Sequence, residues 1–299
     1  MIKRFLCALL SVILSLTLVC CDKPDEKAQL LSFSQAQSIS EMEKMDGKTV
    51  TIIGYMSTLS PVSGKFIYLM NLPYQSCPFC LPNTSTLSNT IAVYAKNEFD
   101  FTDSAIRITG TLEFGDFSDE FGYRYSYRIV NAQYEELDMS ELSETLRLWQ
   151  QLAASDVIAS VYEMFEYVNF LCHWTSYYTT FNSGEDYLYP TDALSLIESS
   201  GARYNYGFKD GYFDTIIASV KDVDPNAFSE LVSIIEDAKA LSSTAYSELK
   251  NGKYTMTSEY DGRYNDGRRQ YKMNSADELQ GEMDTLYSAF STWLAQWEI

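Results

Sequence analysis

The stretch Thr49-Val50-Thr51-Ile52-Ile53-Gly54-Tyr55-Met56 decides the fold, because it opens a series of short apolar runs separated by turn-forming residues. Runs of this length, rich in β-branched and aromatic residues, predict strands. In the last run Tyr123, Tyr125 and Tyr127 alternate with polar residues, which predicts that they share one face. Five such strands predict a small, partly open OB-like β-barrel. The predicted strands are Thr49–Met56, Phe66–Asn71, Thr90–Tyr94, Ala105–Glu113 and Tyr123–Val130.

The second half of the chain has a helical pattern. Asp138-Met139-Ser140-Glu141 has the residues of a helix N-cap followed by an acidic third position. Apolar residues then recur at spacings of three and four, which predicts a long helix reaching Phe181 and further helices after it. We therefore predict an α+β protein: an OB-like barrel at 34–137, then an all-α, bundle-like domain at 138–299 that is separable from it.

The composition is that of an acidic globular protein. The 299 residues include 22 Lys+Arg and 41 Asp+Glu, for a formal net charge of −19. A surface of this charge repels phosphate backbones, so we predict no binding to nucleic acid. It also repels anionic lipid headgroups, so any membrane attachment is expected to be covalent.

The first residues have the pattern of a bacterial lipoprotein leader. Lys3 and Arg4 precede an apolar segment, Phe5–Val19, that is too short to span a bilayer comfortably. Leu18-Val19-Cys20-Cys21 resembles a lipobox, which implies removal of a signal peptide at 1–20 and acylation of Cys21, as with palmitate. The chain turns polar directly after Cys21, and this predicts a flexible tether at 21–33. We expect a lipid anchor in the cell membrane on its extracytoplasmic side; an uncleaved anchor and plain secretion are the alternatives.

Part of the barrel sequence resembles a bacterial extracytoplasmic family of unknown function. The resemblance covers 46–134, and it implies an exported OB-like module without naming an activity. The residues that carry it are Asp46–Met56, Tyr68-Leu69, Leu72-Pro73-Tyr74, Cys77, Pro82-Asn83 and Ile106–Leu112.

Cys77-Pro78-Phe79-Cys80 is the sharpest local motif. Two cysteines at this spacing can form a disulfide, bind a metal or exchange thiols, as in the glutaredoxin-type motif that this tetrapeptide resembles. The residues after Cys80 have no helical period, and no βαβ pattern surrounds the pair, so a structural role is favoured over redox exchange. The sequence predicts no cofactor other than a metal on Cys77 and Cys80. A thiol-redox or metal-binding protein is the alternative function.

The sequence contains no complete catalytic set, which favours a non-enzymatic binding or accessory module. Its one histidine is His173, and no G-x-S-x-G nucleophile motif is present. OB-type barrels bind ligands at the edges that their loops border. We predict a ligand site between the Cys77–Cys80 loop and the acidic loop Gly115–Gly122, which would favour cationic or neutral ligands over phosphates. Its predicted aromatic residues are Tyr74, Phe79, Phe117 and Phe121; the alternative is that they plug the end of the barrel.

Overall fold

The computed structural model is a mixed α+β fold, as the sequence predicts. It describes residues 28–73, 90–138, 140, 142–176, 179–181, 189–260 and 269–299. Within these residues a six-stranded mixed sheet is followed by a helical part that carries a small three-stranded sheet. The prediction of an all-α second half is therefore wrong, because residues after the long helices pair as strands.

All five predicted strands are confirmed in the larger sheet. An additional short strand precedes them, and the strand order is β1-β2-β3-β4-β6-β5, with β2 also paired to β5. The β1–β2 and β4–β6 pairs are parallel, and the other pairs are antiparallel. The strands are β1 (Gln29–Leu30), β2 (Thr49–Met56), β3 (Phe66–Met70), β4 (Thr90–Ala95), β5 (Ala105–Ser118) and β6 (Arg124–Glu136).

Folded structure begins inside the segment 21–33 that the sequence predicts as a tether. Strand β1 pairs with the start of β2, and Leu31 and Phe33 are buried in the core of the sheet. Ser32 then forms a capping box at the start of α1 (Phe33–Ala36), which is followed by α2 (Ile39–Lys44). The burial of two apolar side chains explains why these residues belong to the fold.

The helical part starts with two helices where the sequence predicts one. The chain bends at Asp156, which has φ 57°, a left-handed conformation that Asp tolerates better than most residues. The described helices of this part are α3 (Glu144–Ala154), α4 (Val157–Ser176), α5 (Tyr189–Glu198), α6 (Asn205–Phe208), α7 (Tyr212–Val223), α8 (Ser229–Asn251) and α9 (Ala276–Ala295). The small sheet is formed by β7 (Thr179–Phe181), β8 (Tyr254–Tyr260) and β9 (Arg269–Met273).

The sheet and the helices have separate hydrophobic cores that meet at one end of β2 and β5. The inward side chains of the sheet, such as Ile52, Leu69 and Ile108, form their own buried cluster. Tyr55 and Ala105, by contrast, are buried together with helical residues. The helical part therefore packs on one end of the sheet, and among the described residues no helical side chain joins the cluster on the outer surface of β3 and β4.

Candidate functional site

The outer surface of β3, β4 and β6 carries a cluster of aromatic side chains that is separate from both cores. Because side chains alternate along a strand, Ile67 and Leu69 point into the sheet core, while Phe66 and Tyr68 point to the other side. We call this surface the aromatic face. It consists of Phe66, Tyr68, Tyr94, Phe117, Phe121, Tyr123 and Tyr125.

The rings of the aromatic face form layers, with Phe66 and Tyr68 buried beneath. Phe66 stacks on Tyr94 with ring centroids 5.2 Å apart, and Tyr68 meets the edge of Tyr123 at 5.9 Å. Phe121 lies 6.2 Å from Phe66 and remains 55% exposed. Offset and edge contacts of this kind stabilise aromatic pairs beyond the area that they bury. The face is thus a packed platform with one strongly exposed ring.

Arg128 supplies a positive charge within the aromatic face. Its guanidinium carbon lies 4.2 Å from the centroid of Phe117 and 5.0 Å from that of Tyr94. The same guanidinium group pairs with Glu113 at 2.8 Å. Cation–π contact and the ion pair together hold this long side chain against the rings. Its charge is therefore already neutralised inside the face.

Asp119 fastens the loop between β5 and β6 to the aromatic face. One carboxylate oxygen accepts hydrogen bonds from the backbone N–H groups of Phe121 and Tyr123, each at 3.0 Å. The other oxygen accepts a hydrogen bond from the hydroxyl of Tyr68. Burial, and then this hydrogen bond, raise the pKa of Tyr68 well above its ordinary value. Asp119 is therefore engaged in holding the loop.

A pair of tyrosine hydroxyls completes the face. The hydroxyl oxygens of Tyr94 and Tyr125 lie 2.5 Å apart, and either can donate to the other. Burial and this hydrogen bond raise the pKa of Tyr125, so its hydroxyl stays protonated at neutral pH. A hydroxyl carries one donor and two acceptor positions, so the pair keeps bonding capacity for a ligand.

Strand β6 does not keep the strict alternation that its sequence predicts. Tyr123 and Tyr125 join the aromatic face, whereas Tyr127 packs in the sheet core and donates a hydrogen bond to the carbonyl of Ala36. The register with β5 shifts between the pairs formed by Phe114 and Phe117. Between these pairs β5 advances three residues and β6 two, so the bulge lies in β5 and adds local twist to the hairpin.

The structure brings together only part of the predicted site. Phe117 and Phe121 belong to the aromatic face, and the acidic side chains of Asp116 and Glu120 are exposed nearby in sequence. The other residues predicted for a site lie outside the described part of the chain: Cys21, Tyr74, Cys77, Phe79 and Cys80.

The strand residues of the face are not among the residues predicted for the site. The signal was present in Phe66-Ile67-Tyr68-Leu69, where the positions that alternate with the core are aromatic instead of polar. Two large aromatic side chains on the outer side of a strand indicate a second packed surface. Arg128 gave no such signal, because an arginine on the outer side of a strand is ordinary.

The described residues offer no obvious site for thiol or metal chemistry. Cys172 is buried in the helical core, and burial raises the pKa of its thiol to about 12, which makes it a weak nucleophile. Within the same residues, no group of three or more His, Cys, Asp and Glu side chains is placed to hold a metal ion. None of the described helices has the length and apolar character needed to cross a bilayer.

A groove of about 600 Å³ between α8 and α9 is the largest of the three described concave regions. Its walls are small residues such as Ala240 and Gly281, with Asp237, Glu278 and Glu282 among the lining residues. This groove carries neither exposed rings nor a paired hydroxyl group, so it offers a ligand less specific contact than the aromatic face.

The comparisons with known proteins give no family for this chain. No protein-family model matches it, and no curated protein matches it either.

Proposed function

We propose that this chain is a non-enzymatic extracytoplasmic binding module, anchored in the cell membrane by an acyl chain on Cys21, and that the aromatic face is its binding surface. The observation that carries the proposal is the aromatic face itself. It is an outer strand surface with a packed aromatic floor, and its exposed ring and hydroxyl pair offer a partner both stacking area and hydrogen-bonding groups.

An OB-like barrel is the fold proposed for the sheet. The pairings β2–β3, β3–β4, β4–β6, β6–β5 and β5–β2 link five strands in a ring, and this supports a small barrel. In OB folds the second and third strands, with the first and fourth loops, bind oligonucleotides or oligosaccharides. Counted from β2, these strands are β3 and β4, and the fourth loop contains Asp119 and Phe121. The position of the aromatic face thus supports its role in binding.

Sequence supports the anchor and the absence of catalysis. The lipobox-like segment ends at Cys21, and a polar segment follows it at once. His173 is the one histidine in the chain, which leaves few residues for acid–base chemistry near neutral pH. The module would therefore hold a ligand or partner at the outer surface of the cell membrane.

The anchor is tested by metabolic labelling with radioactive palmitate. We expect label on the wild-type protein and none on the Cys21→Ala variant. Cys172→Ala is the control, because this buried cysteine lies in the helical core and its replacement should leave labelling unchanged. Equal labelling of wild type and Cys21→Ala would refute the anchor.

The binding surface is tested with full-length protein in mild detergent. Three immobilised probes are compared: neutral polysaccharides, a sulfated polysaccharide and an arginine-rich peptide. We expect at least one probe to bind wild type and to bind Phe121→Ala at least about tenfold more weakly, since this ring supplies stacking area. Phe101→Ala is a matched control, because Phe101 is 54% exposed but lies outside the aromatic face. If no probe binds in a way that depends on Phe121, the aromatic face is not the binding surface.

A further inference from the structure

Resting on the function proposed above, we infer that the aromatic face binds a neutral oligosaccharide, with a sugar ring stacked on Phe121 and sugar hydroxyls bonded to the Tyr94–Tyr125 pair. A sugar ring presents an apolar C–H face and a rim of hydroxyl groups. The face offers a partner to each of these two features, because Phe121 is 55% exposed and the two hydroxyls lie side by side.

The charges in the face argue for a neutral ligand. Arg128 is neutralised by Glu113 at 2.8 Å, and Asp119 accepts two hydrogen bonds from its own loop and one from the Tyr68 hydroxyl on β3. A charged ligand group entering the face would therefore lose hydration and find its natural counter-charge already paired. A neutral hydroxyl group loses much less hydration free energy than a charged group when it enters the face.

Cationic and anionic ligands are disfavoured for separate reasons. The guanidinium of Arg128 lies against Phe117 and Tyr94, so a ligand cation would have to displace it to reach these rings. The exposed carboxylates of Asp116 and Glu120, and the net charge of −19, repel sulfated or phosphorylated ligands. Arg128 thus keeps cations off these two rings and the carboxylates keep anions away, which favours an uncharged ligand at the rings of the face.

Hydrogen-bonding capacity favours sugars over purely apolar ligands. One of the Tyr94 and Tyr125 hydroxyls donates to the other, which leaves one O–H donor and several lone pairs for a ligand. Burial raises the pKa of Tyr125, so its hydroxyl stays protonated and able to donate. An apolar ligand covering this pair would leave the spare donor without a partner, at a cost in affinity.

The test uses full-length protein in detergent on an array of neutral oligosaccharides, with the sulfated polysaccharide and the arginine-rich peptide as comparison arms. We expect binding to one or more neutral sugars that persists at high salt, since no ion pair contributes. Tyr125→Phe, which removes only a hydroxyl, should weaken binding about tenfold, and Phe121→Ala should weaken it at least as much. Phe101→Ala should bind like wild type.

The outcomes separate this inference from the proposed function. Binding of the peptide or of the sulfated polysaccharide alone, still dependent on Phe121, would overturn the sugar assignment and leave the aromatic face as a binding surface. Neutral-sugar binding that is unchanged in both Tyr125→Phe and Phe121→Ala would overturn the assignment to this face. Absence of binding in every arm would overturn both.

Discussion

Three phenylalanines of this chain show how differently one side chain can be used. Phe117 is half-buried beneath the guanidinium of Arg128, whereas Phe121 and Phe101 are 55% and 54% exposed. Phe121 touches the edge of a packed aromatic cluster, and Phe101 lies in the loop between β4 and β5. The sequence could place Phe117 and Phe121 in one loop region, but it could not show which ring was covered, because Arg128 reaches Phe117 from the neighbouring strand.

The exposure of Phe121 predicts a small effect on stability. Replacing Phe121 by Ala should change the free energy of unfolding by no more than about 0.5 kcal/mol, the usual range for surface positions. Urea unfolding of Phe121→Ala beside Phe101→Ala measures this. A loss of about 3–5 kcal/mol, typical of a buried Phe, would mean that Phe121 plugs the end of the sheet and would remove the reason for placing a ligand on it.

At the scale of the element, period-two alternation predicted the strands but not the details that shape the site. Thr49–Met56 has the predicted bounds, because β-branched residues and a buried face act together there. The bulge opposite Tyr125 depends on the pairing of β5 with β6, which is a long-range property that no short window contains. For the same reason, the left-handed bend at Asp156 was hidden in a continuous helical pattern.

Gly110 is an element-scale feature that can be tested. A Cβ atom at Gly110 would lie 2.6 Å from Cγ2 of Ile129 and 2.9 Å from the carbonyl oxygen of Val130, because β5 and β6 approach closely there. Gly110→Ala should therefore destabilise the protein by about 1–3 kcal/mol through overpacking. Denaturant unfolding measures the change.

Gly281 provides the matched control for that substitution. It lies in α9 with open space around the Cβ position, so Gly281→Ala should raise the free energy of unfolding by up to about 1 kcal/mol through helix propensity. Equal stability of Gly110→Ala and wild type would contradict the close approach of the two strands.

For the whole molecule, buried tyrosines should make the fold sensitive to alkali. Burial raises the pKa of each above its ordinary value of 10.0, so the folded chain keeps phenolic protons that the unfolded chain loses. This contribution to stability is complete below about pH 10 and falls as the pH rises further. The residues concerned are Tyr55, Tyr68, Tyr125, Tyr127, Tyr167, Tyr206, Tyr212 and Tyr254.

Urea unfolding at a series of pH values, together with phenolate absorbance, tests the alkaline loss. The control is Tyr167→Phe, which lacks one raised phenol and should lose stability less steeply above pH 10. The negative net charge of the rest of the chain rises with pH in the same way in both proteins. The difference between their slopes of unfolding free energy against pH therefore gives the contribution of the Tyr167 phenol. Identical slopes would show that Tyr167 ionises equally in the folded and unfolded chains.

The junction between the sheet and the helices is the whole-molecule feature that sequence could not supply. The change of pattern near residue 138 marks where helical structure takes over, but it says nothing about contacts across the boundary. Tyr55 donates a hydrogen bond to the carbonyl of Trp297 at 2.9 Å, and Asn71 donates one to Glu298 at 2.6 Å. These partners are more than two hundred positions apart, so only the folded chain brings them together.

Gln150 is the residue through which this junction can be measured. Its side-chain oxygen accepts from the N–H of Ala105 at 2.8 Å, and its side-chain amide donates to the carbonyl of Ala105 at 3.0 Å. Both residues are buried, so Gln150→Ala would leave the Ala105 backbone groups without these partners at a cost of about 1–3 kcal/mol. The adjacent Gln151 is exposed on the same helix, and Gln151→Ala should change stability by about 0.5 kcal/mol or less.

The two variants also decide whether the sheet and the helices unfold together. All four tryptophans follow residue 138, so their fluorescence reports the helices and, through Trp149 and Trp297, their junction with the sheet, while far-ultraviolet circular dichroism reports the whole chain. If the junction couples the two parts, both signals should change at one urea concentration in wild type and in Gln151→Ala. In Gln150→Ala that common midpoint should move to lower urea. Separate midpoints in wild type would mean that the sheet and the helices unfold independently. Equal stability of Gln150→Ala and Gln151→Ala would mean that the contact between Gln150 and Ala105 contributes little.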